Sequence, residues 1–120
     1  QQVEGLLTGF IDLVFEAGGR FYVVDYKTNF LGNHPEAYVA HRLDQAMAEH
    51  HYTLQGLIYS VAMSRFFEQR VPDWSEDRWG GVLYLFVRGM RGRNAEDGVW
   101  FWRPSLEQLT IAAQGFGGGE

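Results

Sequence analysis

The sequence predicts an α/β or α+β layered domain, and three observations carry that reading. Two β-type runs, residues 6–15 and 21–27, meet across Gly18-Gly19. Two helix-patterned segments follow, and then a nearly continuous apolar run over residues 81–87. Strands, helices and further strands in that order imply a sheet with helices laid on it.

The first two strands are expected to pair antiparallel. Both central residues of the favoured two-residue hairpin turn need positive φ, which Gly-Gly supplies without strain. Asn33-His34-Pro35-Glu36 predicts a helix start, with Asn33 or His34 near the cap, Pro early and an acid in the first turn. Val39, Leu43 and Met47 then recur every four residues. A second helix is expected over residues 52–70, with Leu54, Leu57, Ile58, Val61 and Phe66 as its buried stripe and Pro72 ending it. After a polar loop with Asp73, Ser75, Glu76 and Asp77, the run 81–87 reads as a strand covered on both faces, in mid-sheet. A glycine-containing loop over 88–98, a short strand over 99–102 and a helix opened by Ser105 and Glu107 complete the chain. That helix is expected to run out before Gly115, leaving residues 115–120 as a flexible Gly-rich tail. Residues 1–114 then form one unit, with no internal repeat.

Composition narrows the function. At 120 residues and 46% hydrophobic, the chain has the length and apolar content of one globular domain. It has neither a run of eighteen apolar residues nor a signal-peptide pattern, so the expectation is a cytoplasmic protein without a membrane partner. Without cysteine, a metal must be held by oxygen or imidazole, and oxygen ligands point to magnesium, manganese or calcium. A net charge of −5 argues against binding nucleic acid through the overall field, so such a role must rest on a local site. Trp74, Trp79, Trp100 and Trp102 read as core or interface residues.

The candidate chemistry lies on the hairpin. Asp is disfavoured inside strands, yet Asp12 and Asp25 sit one in each, among residues that otherwise favour burial. If Ala17 faces Arg20 across the turn, the same register sets Asp12 opposite Asp25. Like charges so placed repel, and Lys27 emerges on the same face two residues along. A hard divalent ion held by both carboxylates would relieve the repulsion and activate water, with Lys27 orienting that water or offsetting transition-state charge. A plain salt bridge between Lys27 and an acid uses the same residues, and Asp-x-Lys by itself is a common tripeptide.

Four segments in order, Gly9-Phe-Ile-Asp12-Leu-Val-Phe, Val24-Asp25-Tyr26-Lys27-Thr-Asn29, Tyr52-x-x-Gln55-x-x-x-Tyr59 and Gly80-Gly-Val-Leu-Tyr-Leu-Phe86-x-Arg88-Gly89, together with the ending Gly98-Val-Trp-Phe-Trp-Arg-Pro104, carry a resemblance. The chain resembles the RecB-type nuclease domain, the C-terminal domain of exodeoxyribonuclease V beta subunits in the PD-(D/E)XK superfamily. The resemblance implies a restriction-endonuclease-like fold: a mixed central sheet flanked by helices, here truncated at the N-terminus. It implies magnesium-dependent cleavage of DNA within an ATP-driven helicase–nuclease that processes double-strand ends for recombinational repair. DNA and the other subunits of a RecBCD-like complex are the implied partners. By the same resemblance Asp12 and Asp25 are metal ligands, the Tyr26 carbonyl is a further ligand, Lys27 is the catalytic lysine, and Gln55 and Tyr59 are the Gln-x-x-x-Tyr motif. Their spacing sets Gln55 and Tyr59 on one helix face, away from the Leu54 stripe, to touch DNA or support the acids.

The family's upstream histidine and helical acid have no counterpart here, and none of His34, His41, His50 or His51 replaces that histidine in sequence order. The 120-residue chain alone is therefore expected to bind magnesium weakly and cleave poorly. No Gly-x-x-x-x-Gly-Lys-Ser/Thr loop is present, so an ATP motor would lie outside this sequence. His50-His51 reads as solvated or capping, and Arg88, Arg91 and Arg93 as a basic loop for phosphates or solvent. Two other functions compete: a catalytically silent nuclease-fold domain serving as an interaction surface, and a small-molecule metal-binding domain.

Overall fold

The computed structural model describes residues 11–90 and 94–116. Its sheet has four strands in the order β1 (Leu13–Ala17), β2 (Arg20–Lys27), β3 (Trp79–Phe86) and β4 (Val99–Trp102). β1 and β2 are antiparallel, β2 and β3 parallel, β3 and β4 antiparallel, so the sheet is mixed. Gly18 and Gly19 turn the hairpin with φ of 59° and 83°. The register is the one a two-residue turn dictates, from Ala17↔Arg20 to Leu13↔Val24. β1 begins at Leu13 and runs on to Ala17, so it is displaced toward the turn from the predicted span, of which residues 6–10 lie outside those described.

A parallel pair needs a long crossover, and the two helices supply it. The first is shorter than the sequence predicts. Pro35–Tyr38 forms a 3-10 turn, Val39 is extended, and α1 covers Ala40–Glu49. The break has a local cause: the Tyr38 carbonyl accepts from Gly98 N at 3.0 Å, and the Tyr38 hydroxyl accepts from Leu31 N at 3.0 Å. Tyr38 is thereby held by tertiary contacts. α2 spans Tyr52–Arg70, as its pattern predicts.

The buried face of α2 differs from the predicted stripe. Leu54 is 52% exposed, and Leu57, Ile58 and Phe66 are only half-buried. The residues turned inward are Gly56, Tyr59, Ser60, Met63 and Phe67, with Val61 and Ala62 also buried. The sheet offers rings as well as aliphatic surface: a Cβ on Gly56 would lie 3.4 Å from the Tyr84 ring, so α2 approaches β3 over a residue without a side chain. Val23, Trp79, Val82, Tyr84 and Phe86 form the sheet side of the core, and Leu43, Met47, Met63, Phe67 and Leu109 the helix side.

In mid-sheet β3, Val82, Tyr84 and Phe86 are fully buried while Leu83 and Leu85 are half-buried, so burial alternates rather than covering both faces. α3 spans Leu106–Phe116, past the expected stop at Gly115; Gly117–Gly119 lie outside the described residues. Its start is a reciprocal cap, with Ser105 Oγ accepting from Gln108 N at 3.0 Å and Gln108 Oε1 accepting from Ser105 N at 2.7 Å. Trp79 is buried and donates to the Pro104 carbonyl, and Trp100 donates to Asp44. Among the described residues no helix is long and apolar enough to cross a membrane.

Candidate active site

Alternation along β2 puts Val23, Asp25 and Lys27 on one face, and the parallel register sets Asp25 beside Tyr84 and Lys27 beside Phe86. That face lies under α2. Asp25 is consequently 5% exposed, and burial pushes its carboxyl up to about 6. Hydrogen bonding with the Asp12 carboxyl raises it further, while the Lys27 ammonium opposes both through its charge and its hydrogen bond.

Asp12 stands one residue before β1, exposed, and its Oδ2 accepts from Tyr26 N at 2.8 Å. The hairpin register extended by one step brings it to Asp25, so the two carboxyls converge at the open end of the hairpin. Lys27 Nζ lies 3.2 Å from Asp25 Oδ2, with both side chains largely covered (14% and 7% exposed). Asp25 Oδ2 is buried with the Lys27 ammonium as its close partner, and as a carboxylate oxygen it keeps lone-pair capacity beyond that one contact.

The two motif residues of α2 point into the same region. Tyr59 is 4% exposed, and its phenol is pushed up to about 12, first by burial and then by the charges of Asp25 and Asp12. At neutral pH it is an O–H donor beside the acids. Gln55 is half-buried and accepts from the Tyr84 hydroxyl at 2.7 Å. Burial, and then the Asp25 charge, raises Tyr84 well above the ordinary phenol range. Tyr26 itself is exposed, and its part in the site is through its backbone.

Other side chains singled out in the sequence fall elsewhere. His34 and His41 are exposed away from the acids, and His51 occupies the start of α2 at φ 58° with no side-chain cap bond, so the capping role fails. His50 stacks on Tyr52 with ring centroids 5.2 Å apart, and its Nε2 lies 3.4 Å from Asn29 Nδ2. Arg88 is exposed and donates to the Thr28 carbonyl; Arg91 and Arg93 lie outside the described residues. Among the described residues no group of three or more His, Cys, Asp or Glu is placed to hold a metal.

Sequence reasoning passed over two tyrosines. Tyr52 and Tyr84 place their rings 4.0 and 5.4 Å from Lys27 Nζ. Tyr52 was findable, since it precedes Gln55 by three residues and Tyr59 by seven and so shares their helix face. Tyr84 depends on the β2–β3 register, which no local pattern encodes. One further signal was available: Lys27 is the single lysine of the sequence, which otherwise carries its positive charge on arginine.

Comparison with known proteins agrees with this architecture. The PD-(D/E)XK nuclease superfamily matches residues 2–114. The RecBCD enzyme subunit RecB of Escherichia coli K12 is 40% identical over 118 residues, covering 98% of this chain and 10% of that protein. The protein of the same name from Haemophilus influenzae is 45% identical over 112 residues (92% of this chain, 9% of that protein). The one from Mycobacterium tuberculosis H37Rv is 45% identical over 112 residues (87% and 10%). The chain thus spans about a tenth of the length of these curated relatives.

Proposed function

The chain belongs to the PD-(D/E)XK nuclease superfamily, and from that premise we propose that Asp12, Asp25 and Lys27 form a magnesium-dependent site for cleaving DNA phosphodiesters. The observation that carries this is the buried Asp25 carboxyl, which lies beside the Asp12 carboxyl and 3.2 Å from the Lys27 ammonium. Two converging carboxylates with spare lone pairs are hard oxygen donors, so the residues present fit magnesium as part of a larger oxygen shell.

Asp12 and Asp25 would hold the ion. The Tyr26 carbonyl is a further donor, because the N–H and C=O of one strand residue point to the same side and the Tyr26 N–H already faces Asp12. Magnesium there supplies positive charge to polarise a phosphoryl oxygen and acidify water. The chain's own residues do the rest. Lys27 presents ammonium N–H donors for a non-bridging phosphate oxygen, where negative charge grows in the transition state. Tyr59, buried and held protonated, presents its O–H in the field of the two acids without competing as a base. Gln55 is engaged by Tyr84, so it supports the site from behind rather than reaching for DNA.

Residues 1–114 are on this reading the C-terminal part of a nuclease domain in a longer cytoplasmic helicase–nuclease. That protein works on DNA double-strand ends with the other subunits of a RecBCD-like complex. The relatives' name and the share of their length matched support it. The test is made in the full-length protein: Asp25→Asn and Lys27→Met should abolish magnesium-dependent cleavage and leave ATP-driven unwinding intact. Cleavage at the unsubstituted rate in either variant would sink the assignment of chemistry to these residues and leave the second reading, a silent nuclease fold that serves as an interaction surface.

A further inference from the structure

Lys27 is held in an unusual way for a catalytic ammonium. Its Nζ has one ionic neighbour, Asp25, at 3.2 Å, and two aromatic ones, the rings of Tyr52 at 4.0 Å and Tyr84 at 5.4 Å. The two rings lie 5.8 Å apart, tilted by 30°. Each ring is itself fixed by its hydroxyl, Tyr52 donating to Asn29 Oδ1 at 3.2 Å and Tyr84 to Gln55 Oε1 at 2.7 Å. His50 stacks on the Tyr52 ring, with centroids 5.2 Å apart.

An ammonium has three N–H donors and no acceptor. A pocket of carbonyls or carboxylates would hold it as firmly but would engage the N–H groups that a phosphate oxygen needs. An aromatic face attracts the charge through its quadrupole with no fixed acceptor atom. The Tyr52 and Tyr84 pocket therefore restricts where Nζ can sit and keeps its hydrogen bonds available. Asp25 meets the ammonium through one oxygen, 3.2 Å away, and the two rings add contacts that occupy no further N–H.

We infer that Tyr52 and Tyr84 are positioning residues for Lys27, forming an aromatic pocket that aims its ammonium at the scissile phosphate. Gln55 serves this pocket by anchoring Tyr84. The inference rests on the nuclease reading for its effect on rate, but the pocket itself is testable without cleavage.

With lysine carbon-13 labelled and the Lys27 signal assigned by its disappearance in Lys27→Arg, the ε-methylene protons should be shifted upfield by the ring current of Tyr52. Tyr52→Phe keeps the ring but loses its bond to Asn29, so it should keep most of the shift and lose less of the cleavage rate than Tyr52→Leu. Tyr52→Leu should lose the shift and lower kcat roughly tenfold with KM unchanged, the size expected for one cation–π contact in a partly desolvated site. A double-mutant cycle of Tyr84→Phe with Gln55→Leu should be non-additive, since both break one hydrogen bond. Three results would overturn the inference: no upfield shift in the unsubstituted protein, equal kcat losses in Tyr52→Phe and Tyr52→Leu, or strict additivity of the Tyr84 and Gln55 changes. Undiminished cleavage by Lys27→Met would instead overturn the nuclease reading and leave the ring-current outcome standing.

Discussion

The two ends of the β1–β2 hairpin each carry a charge cluster, and they are built on opposite principles. At the closed end Arg78 donates through Nε to the Gly19 carbonyl at 2.6 Å and through its two terminal nitrogens to Asp73 and Glu16. Its guanidinium also lies 5.1 Å from the Phe21 ring. Each ion pair there is hydrogen-bonded, and both acids are exposed. At the open end one cation again meets two acids, but Asp25 is buried, Asp12 stands close by, and the Lys27 ammonium faces aromatic rings. Burial withholds water from the Asp25 charge, a desolvation cost that the exposed acids of the closed end do not bear. On that criterion the closed end clamps the turn, and the open end is where the proposed cation would relieve repulsion.

Substitutions of single acids on one strand should separate the two ends by the widest margin. Asp12→Asn removes a carboxylate at the open end, and Glu16→Gln removes one at the closed end, four residues along. The expected outcome in the full-length protein is a loss of magnesium-dependent cleavage of about a hundredfold or more for Asp12→Asn. For Glu16→Gln the rate should be unchanged. Equal rates in the two variants would erase the distinction.

A smaller difference should appear in stability against pH. The Asp25 carboxyl is raised from 3.8 to about 6 in the fold, so the fold favours its protonated form. The stability this gives is fully present below 3.8 and is lost as pH rises through about 6, in the absence of divalent cation. The loss is on the order of 3 kcal/mol. Urea unfolding of the unsubstituted protein and of Asp25→Asn across that range should differ in slope, because the variant lacks the titrating group. Parallel curves would show that Asp25 does not carry the strain. Magnesium should flatten the unsubstituted curve by binding the ionised form.

How far this contrast was legible from sequence differs between the two ends. The open end was read from local rules: Gly18-Gly19 set the register, and strand alternation put Asp25 and Lys27 on one face. The closed end was not read at all, because Arg78 reaches Glu16 and Gly19 across 62 and 59 residues and nothing in its neighbourhood marks it. The same limit hid Tyr84, whose position beside Asp25 is a matter of parallel register. On α2 the failure was of another kind. Hydrophobic periodicity chose Leu54 and Ile58 as the buried face, whereas aromatic and small residues, Tyr59, Gly56 and Ser60, face the sheet. Apolar content is a poor guide where the buried surface also houses polar chemistry. The fold class, the order of elements along the chain and the span of α2 required only patterning, and patterning sufficed for them.

The smallest expected effect tests the closed end by itself. Arg78→Met keeps most of the side chain's length and its contact with Phe21 but removes the guanidinium. Glu16 and Asp73 are exposed partners, at 50% and 73%, so each ion pair is worth a few tenths of a kcal/mol after screening. The bond to the Gly19 carbonyl is charge-assisted and holds the turn, so the total loss should be about 1–2 kcal/mol. Salt divides that figure into its parts. At roughly 1 M salt the screening length falls to about 3 Å, so the ion-pair share should vanish while the carbonyl bond persists. The penalty for Arg78→Met, measured by urea unfolding, should therefore shrink by less than half between low and high salt, with cleavage by the full-length protein unaffected. A penalty abolished by salt would reduce the closed end to surface ion pairs. A loss of cleavage in a folded Arg78→Met protein would show that the turn and the acids are coupled along the hairpin, and the two ends would then be parts of one device.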